Sequence, residues 1–90
     1  MSAQPEPHRS RDADERIEVL IDRVRPHLTD REAELFAEHV RGASPAELAR
    51  RLGYPSAGTV RLTLNRIRWY IADALPRDRE VRALITRASR

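Results

Sequence analysis

Val60, Leu64, Ile67, Ile71 and Leu75 recur at steps of four, three, four and four residues and stop at Pro76. Only an α-helix turns that spacing into one continuous apolar face. The spacing predicts a long helix over about 57–75. Ahead of it, Tyr54-Pro55-Ser56-Ala57-Gly58 carries the residues of a short turn. Ser44-Pro45-Ala46-Glu47 reads as a capping box with proline at the first helical position, and Leu48, Ala49 and Leu52 lead into Gly53. A helix of about eight residues is expected there. Thr29-Asp30-Arg31-Glu32 repeats the capping logic before Ala33, Leu35, Phe36 and Val40, with Gly42 as a left-handed terminator. That places a helix over about 30–41.

Ile17, Leu20, Ile21 and Val24 recur at helical spacing behind Asp12, Asp14 and Glu15, and Pro26 marks the end. This gives a first helix over about 12–24. Residues 1–11, with two prolines and no apolar period, read as a disordered N-terminal tail. After Pro76, Val81, Leu84, Ile85 and Ala88 suggest a C-terminal helix over about 77–89, acidic at its start and basic at its end. No strand pattern or internal repeat appears. The expected fold is all-α: four to five helices in a single domain, 12–90, with a helix-turn-helix over about 44–75 and a long recognition helix.

Ninety residues can enclose one hydrophobic core. With one Phe, two Tyr and one Trp, that core must be aliphatic and thin. All 17 cationic side chains are Arg, a codon-bias signature that also supplies rigid forks suited to phosphates and guanine edges. Residues 1–45 carry a charge of −3 and residues 46–90 carry +6. Between Leu48 and Ala72 stand Arg50, Arg51, Arg61, Arg66 and Arg68 with no acid, a segment suited to a polyanion. Cysteine is absent, which excludes disulfides and thiolate metal sites. No apolar run approaches the roughly 20 residues that span a bilayer, and no hydrophobic stretch near Met1 resembles a signal peptide, so a cytoplasmic, nucleoid-associated protein without membrane contact is expected.

Two short helices joined by a tight Gly-containing turn, the second of them basic, form an arrangement that sets the second helix into the major groove of DNA. Taking 100° per residue and Val60 as the core direction, Leu64, Ile67 and Ile71 fall within about 40° of it, while Gly58, Leu62, Asn65, Arg66 and Trp69 lie more than about 110° away. The far face is the candidate DNA face. Ser56, Thr59 and Arg61 lie near the helix N-terminus, the end that usually meets base edges, and Arg66 and Arg68 lie further along, where phosphates are nearer. Asn65 suits adenine, Arg61 suits guanine, and Leu62 suits a thymine methyl. Thr59 also suits a capping role, and Arg50 and Arg51 also suit the C-terminal end of their helix against its dipole.

The stretch LTDREAELFAEHVRGASPAELARRLGYPSAGTVRLTLNRIRWYIADAL resembles the helix-turn-helix of LuxR-type regulators and the related promoter-reading C-terminal domain of sigma factors. The landmarks are Leu28-Thr29-x-Arg31-Glu32, Ala46-Glu47-Leu48-Ala49-x-x-Leu52-Gly53 and Gly58-Thr59-Val60-Arg61, covering about half the chain. The resemblance implies base or phosphate contact by Thr59, Arg61, Leu62, Asn65 and Arg66. The turn from Gly53 to Gly58 is one residue longer than that pattern, a length that also resembles helix-turn-helix segments of phage packaging proteins.

These readings make the chain an expected sequence-specific binder of double-stranded DNA acting in transcription as a homodimer. Its dimer surface is drawn from helix one (Ile17, Leu20, Ile21), the last helix (Val81, Leu84, Ile85) or the face bearing Leu62 and Trp69. Leu62 and Trp69 either lie under a neighbouring helix or form a contact surface. Alternatives are a sigma-like adaptor that holds RNA polymerase or a sigma factor through its acidic first half, and a phage DNA-packaging or recombination accessory. His8, His27 and His39 lack ligand spacing, and no nucleophile motif or phosphate loop appears. No enzyme, metal or cofactor is expected.

Overall fold

A computed structural model describes the backbone of residues 6–88 and the side chains of residues 12–87. The chain forms α1 (Glu6–Val24), a 3-10 turn (Arg25–His27), α2 (Asp30–Val40), α3 (Pro45–Leu52), α4 (Ala57–Ala74) and α5 (Arg79–Ala88), with no strand among the described residues. The fold is therefore all-α with five α-helices, as the periodicity predicts.

Local chemistry sets the boundaries. Thr29 Oγ1 accepts from the Glu32 amide (3.1 Å) while Glu32 Oε1 accepts from the Thr29 amide (2.9 Å). Ser44 and Glu47 repeat the reciprocal pair at 3.2 and 3.0 Å. Each box supplies acceptors to amides that have no partner inside the first turn. At the end of α3, Gly53 adopts φ 76°, and the N–H groups of Gly53 and Tyr54 both donate to the Ala49 carbonyl. That left-handed step is open to glycine without steric cost and turns the chain sharply toward α4.

One difference from the expected boundaries lies in α1, which begins at Glu6 and so takes in part of the segment read as a disordered tail. Pro7 falls in its first turn, where a missing N–H costs nothing, and polar residues without an apolar face can extend a helix anchored further along. Residues 1–5 of that segment lie outside the described residues.

The core is aliphatic around one ring. Leu20 and Val24 of α1, Leu35 and Phe36 of α2, Leu48 of α3, Val60, Leu64, Ile67 and Ile71 of α4, and Val81 and Leu84 of α5 form one buried cluster. Four of the residues expected on a dimer surface are spent here: Ile21, Leu20, Val81 and Leu84 are buried within the single chain. An amphipathic stripe tells that a face is covered but not by what, and α1 and α5 cover each other and α2. Arg23 fixes that pairing: its guanidinium lies 3.0 Å from Asp78 and 3.1 Å from Glu80. Asp78 also caps α5, accepting from the Val81 amide at 3.0 Å.

The caps carry a pH consequence. Hydrogen bonds from the Ser44 backbone and side chain hold the Glu47 carboxyl below its ordinary range, helped by the charges of Arg51 and Arg50. The Val81 amide and Arg23 do the same for Asp78. A depressed folded-state pKa contributes stability that is present above the unfolded value, near 4, and lost as pH falls through the folded one. The urea midpoint is therefore expected to fall between about pH 5 and pH 3. Ser44→Ala, which removes a cap worth about 1 kcal/mol at neutral pH, should show a smaller drop over that interval because Glu47 titrates closer to normal. Parallel acid curves for the two proteins would exclude the Ser44 hydroxyl as a source of the effect, the Ser44 amide that bonds Glu47 being kept in the variant.

Candidate nucleic-acid interface

α3 and α4 make the most extensive helix-to-helix packing in the fold, Leu48 against the buried seam of α4. α3 and α4 thus form one packed pair. Ser56 caps α4: its Oγ accepts from the Thr59 amide and lies 3.2 Å from Thr59 Oγ1. Thr59 in turn receives the Thr63 hydroxyl on its carbonyl (2.9 Å). The cap is therefore Ser56 rather than Thr59, and Thr59 is half-buried.

One side chain outside this pair reaches the turn. Arg31, at the start of α2, donates to the Leu52 carbonyl (3.1 Å) and lies with its guanidinium carbon 4.4 Å from the centroid of the Tyr54 ring. The carbonyl is a C-terminal acceptor of α3 that has no partner within the helix, and the ring face attracts the cation. The turn between α3 and α4 is thereby held from α2.

The outer side of α4 carries Arg61, Leu62, Asn65, Arg66 and Trp69, all exposed, with Arg68 half-buried at its edge. Among the described residues, Arg61 and Arg66 make no ion pair or hydrogen bond. By helical position Arg61 and Arg66 lie on opposite flanks, about 140° apart, with Leu62 and Trp69 between them. Leu62 is 65% and Trp69 77% exposed, so no neighbouring helix folds over them.

Two of the expected cationic contacts have other partners. Arg51 forms an ion pair with Glu38 (3.3 Å), which also meets Arg41 (3.5 Å), and Arg41 bridges on to Glu18 of α1 at 2.7 Å. Arg51 thus faces Glu38 of α2 while its side chain remains exposed. Arg68 donates to Asn65 Oδ1, one turn earlier on the same helix. Arg50 is exposed at the end of α3 and makes no ion pair among the described residues. Of the residues assigned to self-association, Trp69 is exposed while Ile17 and Ile85 are half-buried.

Sequence reasoning missed Arg31, because the motif containing it reads as a cap and gives no sign of a partner 21 residues away. Among the described residues no group of three or more His, Asp or Glu could hold a metal ion, and no helix is long and apolar enough to cross a membrane. The chain matches no family model, no curated protein and no solved structure.

Proposed function

We propose that this chain is a sequence-specific binder of double-stranded DNA that regulates transcription, with α4 entering the major groove and α3 bracing it. The observation that carries the reading is the outer face of α4, where Arg61 and Arg66 stand exposed and unneutralised on either side of a strip free of acids through Ala72. A helix with its side chains is about 10–12 Å across and the major groove about 12 Å wide, so both flanks would lie close to phosphates while the strip between them faces base edges. Leu62 occupies the centre of that strip, where a thymine methyl is its natural neighbour. The landmarks shared with LuxR-type and sigma-factor helix-turn-helices support the same orientation.

The adaptor reading draws less support. Glu38, one of the acids through which a partner would be held, is already committed to Arg41 and Arg51 inside the fold.

The test is fluorescence anisotropy of labelled random-sequence duplex titrated with the protein at several salt concentrations. Micromolar binding whose logarithm falls linearly with the logarithm of salt is expected, because arginines that neutralise phosphates release condensed counterions. Absence of binding at low salt would remove the DNA reading and favour an adaptor.

A further inference from the structure

We infer that the outer face of α4 binds a second copy of this chain, the two helices running antiparallel across Trp69, and that this dimer covers the face assigned to DNA. The self-association stands on the geometry of α4 alone; only the competition with DNA rests on the function proposed above.

Taking 100° per residue, Leu62, Arg66, Trp69, Tyr70 and Asp73 fall within an arc of about 100° on the side of α4 away from its buried seam. All five are exposed. A leucine and two aromatic rings left in water on one side of a helix make the kind of apolar surface that marks a contact site.

The charges in this stripe select its occupant. Arg66 and Asp73 lie three residues before and four residues after Trp69, and among the described residues neither makes an ion pair or hydrogen bond. Asp73 also sits in the last turn of α4, at the negative end of the helix dipole, where an acid without a cation is disfavoured. In two antiparallel copies of α4 related by a twofold axis beside Trp69, residues equally far before and after Trp69 lie opposite each other. Arg66 of each copy then meets Asp73 of the other. The offset of one residue is about 1.5 Å along the axis, within reach of an arginine side chain. The same register lays the two Trp69 rings side by side and sets Leu62 against Pro76, which is exposed. Parallel alignment instead places Arg66 against Arg66 and Asp73 against Asp73, and a partner of uniform charge meets like charge at one of the two positions. A second copy, being self-complementary, satisfies both at once.

The dimer and the DNA complex both cover Leu62 and Arg66, so they exclude each other. Two short helix faces bury a small interface, below about 1,200 Å², which corresponds to a transient dimer with Kd on the order of micromolar.

Sedimentation equilibrium over about 1–300 µM protein, with the emission of Trp69 followed in parallel, tests the pairing. Trp69 is the sole tryptophan, so the emission reports its surroundings directly. Wild type is expected to pass from monomer to dimer as its emission moves to shorter wavelength. Trp69→Ala should weaken the dimer about thirtyfold or more, as loss of a central aromatic anchor does. Arg66→Asp and Asp73→Arg, each of which turns both cross-pairs into like charges, should each weaken it about tenfold. The double variant Arg66→Asp/Asp73→Arg restores opposite signs and should recover the wild-type dimer. All three positions are exposed, so folding should be kept, and circular dichroism checks it. A wild type that stays monomeric, a dimer indifferent to Trp69→Ala, or a double variant as weak as the single ones overturns the inference. A duplex of about ten base pairs, with room for one reading helix, is expected to split the dimer into complexes of one chain per duplex. Two chains held on that duplex overturn the competition. Failure of any duplex to bind overturns the DNA reading and leaves the self-association to be judged on the sedimentation alone.

Discussion

Arg61→Ala/Arg66→Ala is expected to bind random-sequence duplex about ten- to a hundredfold more weakly than wild type at about 0.1 M salt, with the slope of log K against log salt reduced by about 2. The magnitude follows from position. Each guanidinium is exposed and has no acid to neutralise it within the described residues, so each is available to displace a counterion from a phosphate, and each displaced counterion contributes about 0.9 to the slope. Because the two lie on opposite flanks of α4, one variant removes contact with both walls of the groove. Folding should be preserved, since substitutions at exposed sites usually change stability by no more than about 0.5 kcal/mol. Far-UV circular dichroism and a urea curve check that directly. Arg51→Ala serves as the contrast: its guanidinium is held by Glu38, so its slope should stay closer to wild type. An Arg61→Ala/Arg66→Ala slope equal to wild type, in a folded protein that binds DNA, would move the contact surface off α4.

A larger effect on stability is expected from Phe36→Ala, about 3–5 kcal/mol. Phe36 is the one aromatic ring in the buried cluster, and it sits on α2, the helix that packs against α1, α3, α4 and α5. Removing the ring leaves a void that stiff β-branched neighbours such as Val60, Ile67 and Ile71 fill poorly. Domains of this size hold about 5–15 kcal/mol in all, and each kilocalorie is worth about 4–8 °C. The variant should therefore melt some tens of degrees lower by circular dichroism, or be unfolded at room temperature. Val19→Ala, on the exposed side of α1, is the control and should scarcely move the transition. A loss below about 1 kcal/mol for Phe36→Ala would mean that the cluster is not the single core on which the five helices depend.

Much of this architecture was legible in the residues themselves, because helix starts and stops are local chemistry. Thr29 with Glu32 and Ser44 with Glu47 form the reciprocal bonds that their spacing predicts, Gly42 and Gly53 both adopt positive φ, and the apolar run from Val60 to Ile71 is buried as one seam. Less legible was which apolar face covers which. Leu20, Ile21, Val81 and Leu84 carry the same periodicity whether they bury against their own chain or a second copy, and only the three-dimensional closure of α5 onto α1 and α2 decides between them. Charge partners were hidden for a related reason. Arg51 and Arg68 look alike in the sequence as members of an acid-free run, yet one turns back to Glu38 and the other to Asn65, neither of which composition can indicate.

The grip of Arg31 on Leu52 and Tyr54 bears on how portable the helix-turn-helix is. Residues 44–75 contain both helices and the turn and look like a self-sufficient cassette, but one fastening of that turn is supplied from upstream. Grafted alone onto a foreign scaffold, the segment would keep its caps while losing the Arg31 fastening of its turn and the α1, α2 and α5 side chains that bury the α4 seam. The turn is thus fastened across the boundary a cassette would be cut at, so any designer who recombines this module must carry α2, with Arg31, along with α3 and α4.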